Sequence, residues 1–155
     1  MTTIELPPCL ITIDKEGRWF HEGCEMIHRD IVLHLYRHLE VDAQGHYVIE
    51  WQGERCYVEI EDTPFVVRRV VFEGPTARQE ARFLLYLSDD TQEALAPDTL
   101  SVGNGNVLYC RVKNQSFPAR FTRPPYYQLA EHIETEDGVY LLPLNGRKYV
   151  LQMEP

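Results

Sequence analysis

The sequence predicts an α+β fold: two strand-rich lobes built on an internal repeat of a helix followed by a β-hairpin. Three observations carry this expectation. The stretch Ile27 to Glu40 lies over Phe121 to Glu134 at a constant offset of 94 residues, and self-similarity at a fixed spacing marks repeated supersecondary units. Short alternating segments bounded by Gly, Pro, Asn and Asp fill most of the remainder, as strands do. No alternation of strand and helix is present, which disfavours a doubly wound parallel sheet. The repeat divides the chain into an N-terminal lobe over 1–66 and a C-terminal lobe over 67–155, the latter with extra strands.

In the overlay Arg29 falls on Arg123, Leu35 on Leu129, His38 on His132, Leu39 on Ile133 and Glu40 on Glu134. After a one-residue slip Gly45 to Gly53 lies over Gly138 to Gly146, and Tyr57-Val58 then lies over Tyr149-Val150. In the first copy Ile31, Leu35 and Leu39 recur every four residues, with Val32 and Tyr36 beside them. That spacing predicts an amphipathic helix over 30–40 with Asp30 as its N-cap. In the second copy Tyr126, Leu129, Ala130 and Ile133 make the stripe of a helix over 124–134, and Pro124 and Pro125 suit its first turn. Tyr47, Ile49 and Trp51 alternate on one strand face, as Tyr140, Leu142 and Leu144 do later. Asn145-Gly146 signals a two-residue hairpin turn because both positions accept positive φ, and Gln52-Gly53 is a weaker version. Between the copies, strands are expected over 65–72, 82–87, 91–95, 107–113 and 117–121.

Composition narrows the classes of function. The 155 residues are 44% hydrophobic and 25% charged, an ordinary globular balance. The net charge of −9 argues against nucleic acid as a partner, because phosphate contacts need clustered Lys and Arg. No apolar run reaches the roughly 18–20 residues needed to span a bilayer, so no membrane association is expected. Residues 1–9 lack a basic region followed by an apolar core, so the expectation is a cytoplasmic protein without a secretory signal. The cysteines at 9, 24, 56 and 110 show no Cys-x-x-Cys spacing and are read as free thiols in a reducing compartment.

Three stretches resemble the bacterial domain-of-unknown-function family 1285: Ile13 to Gly23 with Ile27-x-Arg29, Val58 to Phe65, and Tyr109 through Arg123 with Tyr127-x-Leu129. The likeness covers most of the chain in order and departs from the pattern around Trp51 to Arg55 and at the C-terminal hairpin. The resemblance implies two domains with repeated α/β motifs, a cytoplasmic bacterial setting and a signalling role. It supplies no catalytic residues.

Among chemistry-bearing residues, His34 and His38 stand four apart on the first predicted helix, but no third ligand completes a metal site. His21-Glu22-Gly23-Cys24-Glu25 departs from the HExxH zinc pattern at its last position. The sequence therefore predicts neither a metal site nor a cofactor. Glu59 and Glu61 share one face of a strand and Asp62 follows. With His21 these could serve acid–base chemistry, or pair with cations in a purely structural role. No Gly-x-Ser-x-Gly elbow is present, and Gly103-Asn-Gly-Asn106 lacks the Lys-Ser/Thr of a phosphate loop.

The basic residues give the sharpest functional clue. Residues 111–123 hold Arg111, Lys113, Arg120 and Arg123 with no acid among them, on an otherwise acidic chain. With Arg29, the repeat equivalent of Arg123, they predict a site for an anionic small molecule in a cleft between the lobes. Ion pairing of Arg29 and Arg123 with Glu61 or Asp62 is the competing structural use. The leading expectation is a non-enzymatic ligand-binding or regulatory protein. The alternatives are a carboxylate- and histidine-dependent hydrolase or isomerase, and a structural or interaction subunit whose strand edges pair with a protein partner or a second copy.

Overall fold

Two-residue turns with left-handed backbone set much of the strand pairing. Glu22-Gly23, Gln52-Gly53, Asp137-Gly138 and Asn145-Gly146 all have positive φ at both positions. That geometry matches the right-handed twist of flanking strands and closes tight hairpins. In the computed structural model, which describes residues 6–154, each of these turns joins neighbouring antiparallel strands. A second local device uses five residues: Asp14 Oδ1 accepts the N–H groups of Glu16 and Arg18, and Asp42 Oδ1 those of Gln44 and His46. Gly17 and Gly45 supply the left-handed residue in each loop. These hydrogen bonds hold the Asp42 carboxyl below the usual carboxylate range.

The fold is α+β and dominated by strands, with two α-helices among the described residues. The chain divides into two compact units, Met1–Pro64 and Phe65–Pro155. In the first, the strands are β1 (Pro8–Ile13), β2 (Trp19–His21), β3 (Cys24–Glu25), β4 (Leu39–Val41), β5 (Tyr47–Trp51) and β6 (Glu54–Ile60). Helix α1 (Arg29–Arg37) follows β3. The sheet runs β3-β2-β1-β6-β5-β4, antiparallel throughout except for the central β1–β6 pair. Strands β1 to β3 lie outside the segments assigned from sequence.

Helix α1 buries Val32 and Tyr36, and Leu39 continues that face into β4. The Tyr36 ring meets Trp19 edge-on with centroids 4.7 Å apart, and its hydroxyl donates to the Pro64 carbonyl at 3.1 Å. Ile13, Val48, Ile49 and Val58 complete this core. The expected stripe was Ile31, Leu35 and Leu39, with Val32 and Tyr36 beside them. Ile31 instead stands 51% exposed, because the face that meets the sheet is one residue further round. The N-cap is His28, with no side-chain cap bond, and Asp30 sits within the first turn. The helix also ends earlier than expected, since Leu39 to Val41 pair with Ile49 to Tyr47 as a strand.

The second unit contains β7 (Phe65–Glu73), β8 (Arg82–Leu87), β9 (Gln92–Ala94), β10 (Ser101–Val102), β11 (Leu108–Val112), β12 (Phe117–Phe121) and β16 (Gln152–Met153), ordered β16-β10-β11-β12-β7-β8-β9. Helix α2 (Arg123–Ala130) precedes a separate sheet of β13 (Glu134–Glu136), β14 (Val139–Leu144) and β15 (Arg147–Val150). α2 is pinned to β7 at both ends. The Thr122 hydroxyl donates to the Val67 carbonyl at 3.2 Å, and the Val70 N–H donates to Gln128 Oε1 at 2.8 Å. It buries Pro125 and Leu129 and stops at Ala130, so residues up to 134 are not helical as expected. Asn145, beyond making its turn, clamps Ala81 by donating to its carbonyl at 2.7 Å and accepting its N–H at 3.0 Å.

The reading of four free thiols is corrected. Cys9 and Cys56 form a disulfide, with their Cα atoms 5.0 Å apart. The parallel β1–β6 pairing, which local sequence patterns do not encode, brings them within bridging range. Cys24 is exposed and free, and Cys110 is buried in the second unit. The disulfide spans 47 residues of chain, so replacing both half-cystines with serine is expected to lower the stability of the first unit by about 2–4 kcal/mol, measured by denaturant unfolding. Gln52, at φ 50, occupies a position better suited to Asn. Gln52→Asn is expected to raise the unfolding midpoint by about 0.5–1 kcal/mol equivalent, and an unchanged or lower midpoint would contradict this turn assignment.

Candidate functional site

The basic residues of 111–123 do not converge. Arg111 Nε and Nη2 donate to the carbonyls of Gln115 and Ser116 at 2.9 and 3.2 Å. Lys113 Nζ lies 2.7 Å from Asp89 Oδ2, donates to the Thr91 hydroxyl at 2.8 Å, and sits over the Phe65 ring. Its backbone N–H is taken by Glu93. The reason lies in the turn between β11 and β12, where Lys113, Asn114 and Gln115 all have positive φ. A left-handed, non-glycine residue costs roughly 1–2 kcal/mol, and here three stand in a row. Arg111 and Lys113 hold that turn in place. Lys113 lies past the end of β11, so it does not share a strand face with Arg111 as expected.

Arg120 lies opposite Tyr109 on β12, half-buried. Arg123 opens α2, exposed, with Nη1 donating to the Tyr127 hydroxyl at 3.4 Å. The expected anion-attracting helix start is weakened by its own sequence. Pro124 and Pro125 carry no N–H, so the first turn of α2 offers few free donors.

Arg29 is placed differently. It opens α1 and, with His28, Asp30 and Ile31, lines an open hollow of about 360 Å³. No proline interrupts this turn, and its early N–H groups have no side-chain cap.

The acidic candidates separate too. Glu59 is exposed on β6 and lines a second hollow of about 200 Å³ with Glu22, Thr12, Tyr57 and residues of β1. Glu61 Oε2 accepts the Lys15 N–H at 2.9 Å. Asp62 is exposed in the turn after β6, and His21 is exposed at the end of β2, paired in register with Ile11. The incomplete zinc pattern at 21–25 is a β-hairpin around the Glu22-Gly23 turn rather than a helix, which removes its metal geometry.

His34 and His38 stack with ring centroids 4.8 Å apart, and Trp51 meets both edge-on at 4.4 and 5.1 Å. His34 Nε2 has no hydrogen-bond partner, and no group of three metal-ligating side chains occurs among the described residues. Burial pushes the Cys110 thiol up, which leaves it a small core hydrophobe rather than a nucleophile. Among the described residues no helix is long and apolar enough to cross a membrane. Gly103, in the Gly-Asn-Gly-Asn stretch, packs against Tyr109, whose ring a Cβ would meet at 2.9 Å. Sequence reasoning missed Glu22, and the Glu-Gly pair between strand-like residues was the available signal.

This architecture of strand-rich units with a lone helix in each is a DUF1285-like fold. A crystal structure of a DUF1285 family protein from Silicibacter pomeroyi DSS-3 is similar at a TM-score of 0.77, with 18% sequence identity over 96% of this chain and 84% of that one. A DUF1285 family protein from Shewanella baltica OS155 is similar at a TM-score of 0.63, with 16% identity over 79% of this chain and 91% of that one. No protein-family model and no curated protein matches the sequence.

If Lys113 is structural, Lys113→Met should destabilise the second unit by about 1–3 kcal/mol, because the nearly buried Asp89 carboxylate loses its cation. Chemical denaturation checks this; a neutral result would release Lys113 for another role.

Proposed function

We infer that the chain is a non-enzymatic ligand-binding or regulatory protein, with a role in signal transduction, that takes an anionic small molecule at the start of α1. The observation that carries this reading is Arg29 in the hollow beside His28 and an uncapped helix turn. A guanidinium matches carboxylate and phosphate geometry, and the helix end favours negative charge. Ile31, half-exposed in the same hollow, offers apolar contact to the body of such a ligand. The remaining basic candidates line neither this hollow nor the one at Glu59.

The test is thermal shift with inorganic phosphate, pyrophosphate and citrate, followed by titration of whichever stabilises. A ligand at about a hundred times its Kd stabilises by roughly 2.7 kcal/mol. Arg29→Gln should then weaken binding by about 1.5–3 kcal/mol, the worth of a charge-assisted hydrogen bond, while Arg123→Gln leaves it unchanged. Equal losses from both variants, or no stabilisation by any of the three, would count against the reading.

The hydrolase or isomerase reading has one observation in its favour, the shared hollow of Glu22 and Glu59. Paired carboxylates can divide acid and base roles. A cytoplasmic setting is part of the proposal; in a reducing compartment a disulfide is usually transient rather than permanent. An internal repeat is proposed as well. In each unit a helix is followed by three antiparallel strands, with Val48 between Glu40 and Tyr57 and Leu141 between Glu134 and Val150. That register sets Cys56, not Tyr57, against Tyr149, one residue off the sequence overlay.

A further inference from the structure

The Cys9–Cys56 disulfide stands where β1 is least attached to β6. The ladder shifts register between Pro8 and Thr12, so Cys9, Leu10 and Ile11 fall outside the regular pairing. Leu10 has φ 63, a left-handed conformation costly for a branched side chain, and is 52% exposed. Before the irregularity, attachment to β6 is a single rung, Pro8 against Tyr57, where the Tyr57 N–H donates to the Pro7 carbonyl at 3.0 Å. After it, pairing is regular, and the Glu61 N–H donates to the Ile13 carbonyl at 2.9 Å. On its other side, the segment is held where the Glu22 N–H donates to the Leu10 carbonyl.

Neighbours of both half-cystines are walls of the 200 Å³ hollow: Pro8 and Leu10 on either side of Cys9, and Tyr57 next to Cys56. Glu22 and Glu59 line the same hollow. Both half-cystines are partly accessible, whereas Cys110 is buried.

We propose that this disulfide is a thiol-operated latch: its reduction frees the segment from Leu6 to Leu10 from β6 and opens the Glu22–Glu59 hollow, while the rest of the first unit keeps its fold. The reductant is a dithiol. One of its thiolates attacks a sulfur of the bridge, forming a mixed disulfide and releasing the other cysteine as thiolate. Its second thiol then displaces the remaining cysteine, so two electrons pass to the protein and the dithiol leaves as its own disulfide. Once the covalent link is gone, the isolated Pro8–Tyr57 rung and the Glu22–Leu10 hydrogen bond are left to hold a segment that contains the strained Leu10. Local opening of this kind has a far lower free energy than global unfolding. The proposal is independent of the anion site at α1.

Amide hydrogen exchange on the full chain, oxidised and after dithiothreitol, tests it. On reduction the Tyr57 and Glu22 amides should lose on the order of tenfold more protection than the Glu61 amide, whose change follows the stability of the whole unit. Native alkylation should then label Cys9 and Cys56 and spare Cys110. The Cys9→Ser/Cys56→Ser double variant should reproduce the reduced pattern without any reductant. Unchanged exchange at Tyr57 and Glu22 would overturn the latch. So would equal loss of protection at Glu61, which would make the bridge a global staple. Four reactive thiols in the air-equilibrated, denatured protein would also overturn it.

Discussion

In each unit a parallel strand pair inside the larger sheet joins its two parts, and the remaining structure hangs on that joint. In the first, β1 beside β6 unites β3-β2-β1 with β6-β5-β4. In the second, β12 beside β7 unites β16-β10-β11-β12 with β7-β8-β9. Antiparallel neighbours can be joined by tight turns, but parallel ones need a long excursion of chain. That excursion from β1 to β6 carries α1 among β2 to β5, and the one from β7 to β12 carries four strands, β8 to β11. α2 then returns onto β7. The positions of both helices, and hence of Arg29 and Arg123, follow from closing these joints.

The placement of charge follows local backbone geometry more than it follows any ligand. Arg111 and Lys113 belong to the cationic stretch that the sequence singles out, yet Arg111 donates into the left-handed turn before β12, and Lys113, within that turn, reaches Asp89 and Thr91. A run of non-glycine residues at positive φ needs compensating bonds, and cationic side chains reaching carbonyls and a carboxylate supply them. Charge clustering in sequence is thus consistent with two very different uses. Arg29, at a helix start without such a turn, is also a wall of an open hollow.

What could be read from the sequence was whatever is decided within a few residues. The turns at Asn145-Gly146 and Gln52-Gly53, the strands over 82–87 and 117–121, and the existence of both helices follow from local φ preference and periodicity. The buried face of α1 was misjudged by one position, because Ile31 and Val32 are both apolar and only the sheet decides which is covered. The Cys9–Cys56 bridge, and the hollow that Glu22 and Glu59 both line, depend on a pairing across 47 residues that no local pattern records. Glu61 and Lys113 looked available for chemistry for the same reason, since their partners are distant in sequence.

The two parallel joints are secured by different physics. Around β12–β7, Phe65, Val66, Val67, Ala119 and Phe121 are all buried, the covering expected of parallel strands. Fully burying a Phe or Val side chain is worth roughly 1.5–3 kcal/mol, so a handful of them anchors the pair without further help. At β1–β6, the regular rungs bring together Thr12 with Glu59 and Ile13 with Ile60, and only Ile13 is deeply buried. Exposed Pro8 and Leu10 add little apolar burial. A disulfide of about 2–4 kcal/mol makes up a deficit of that size. The covalent bond therefore stands at the less buried of these two joints, while Cys110, buried on β11 beside the other, is a free thiol. A joint built on burial responds to temperature and denaturant, whereas one built on a disulfide also responds to thiols, which gives the first unit a chemical sensitivity that the second lacks.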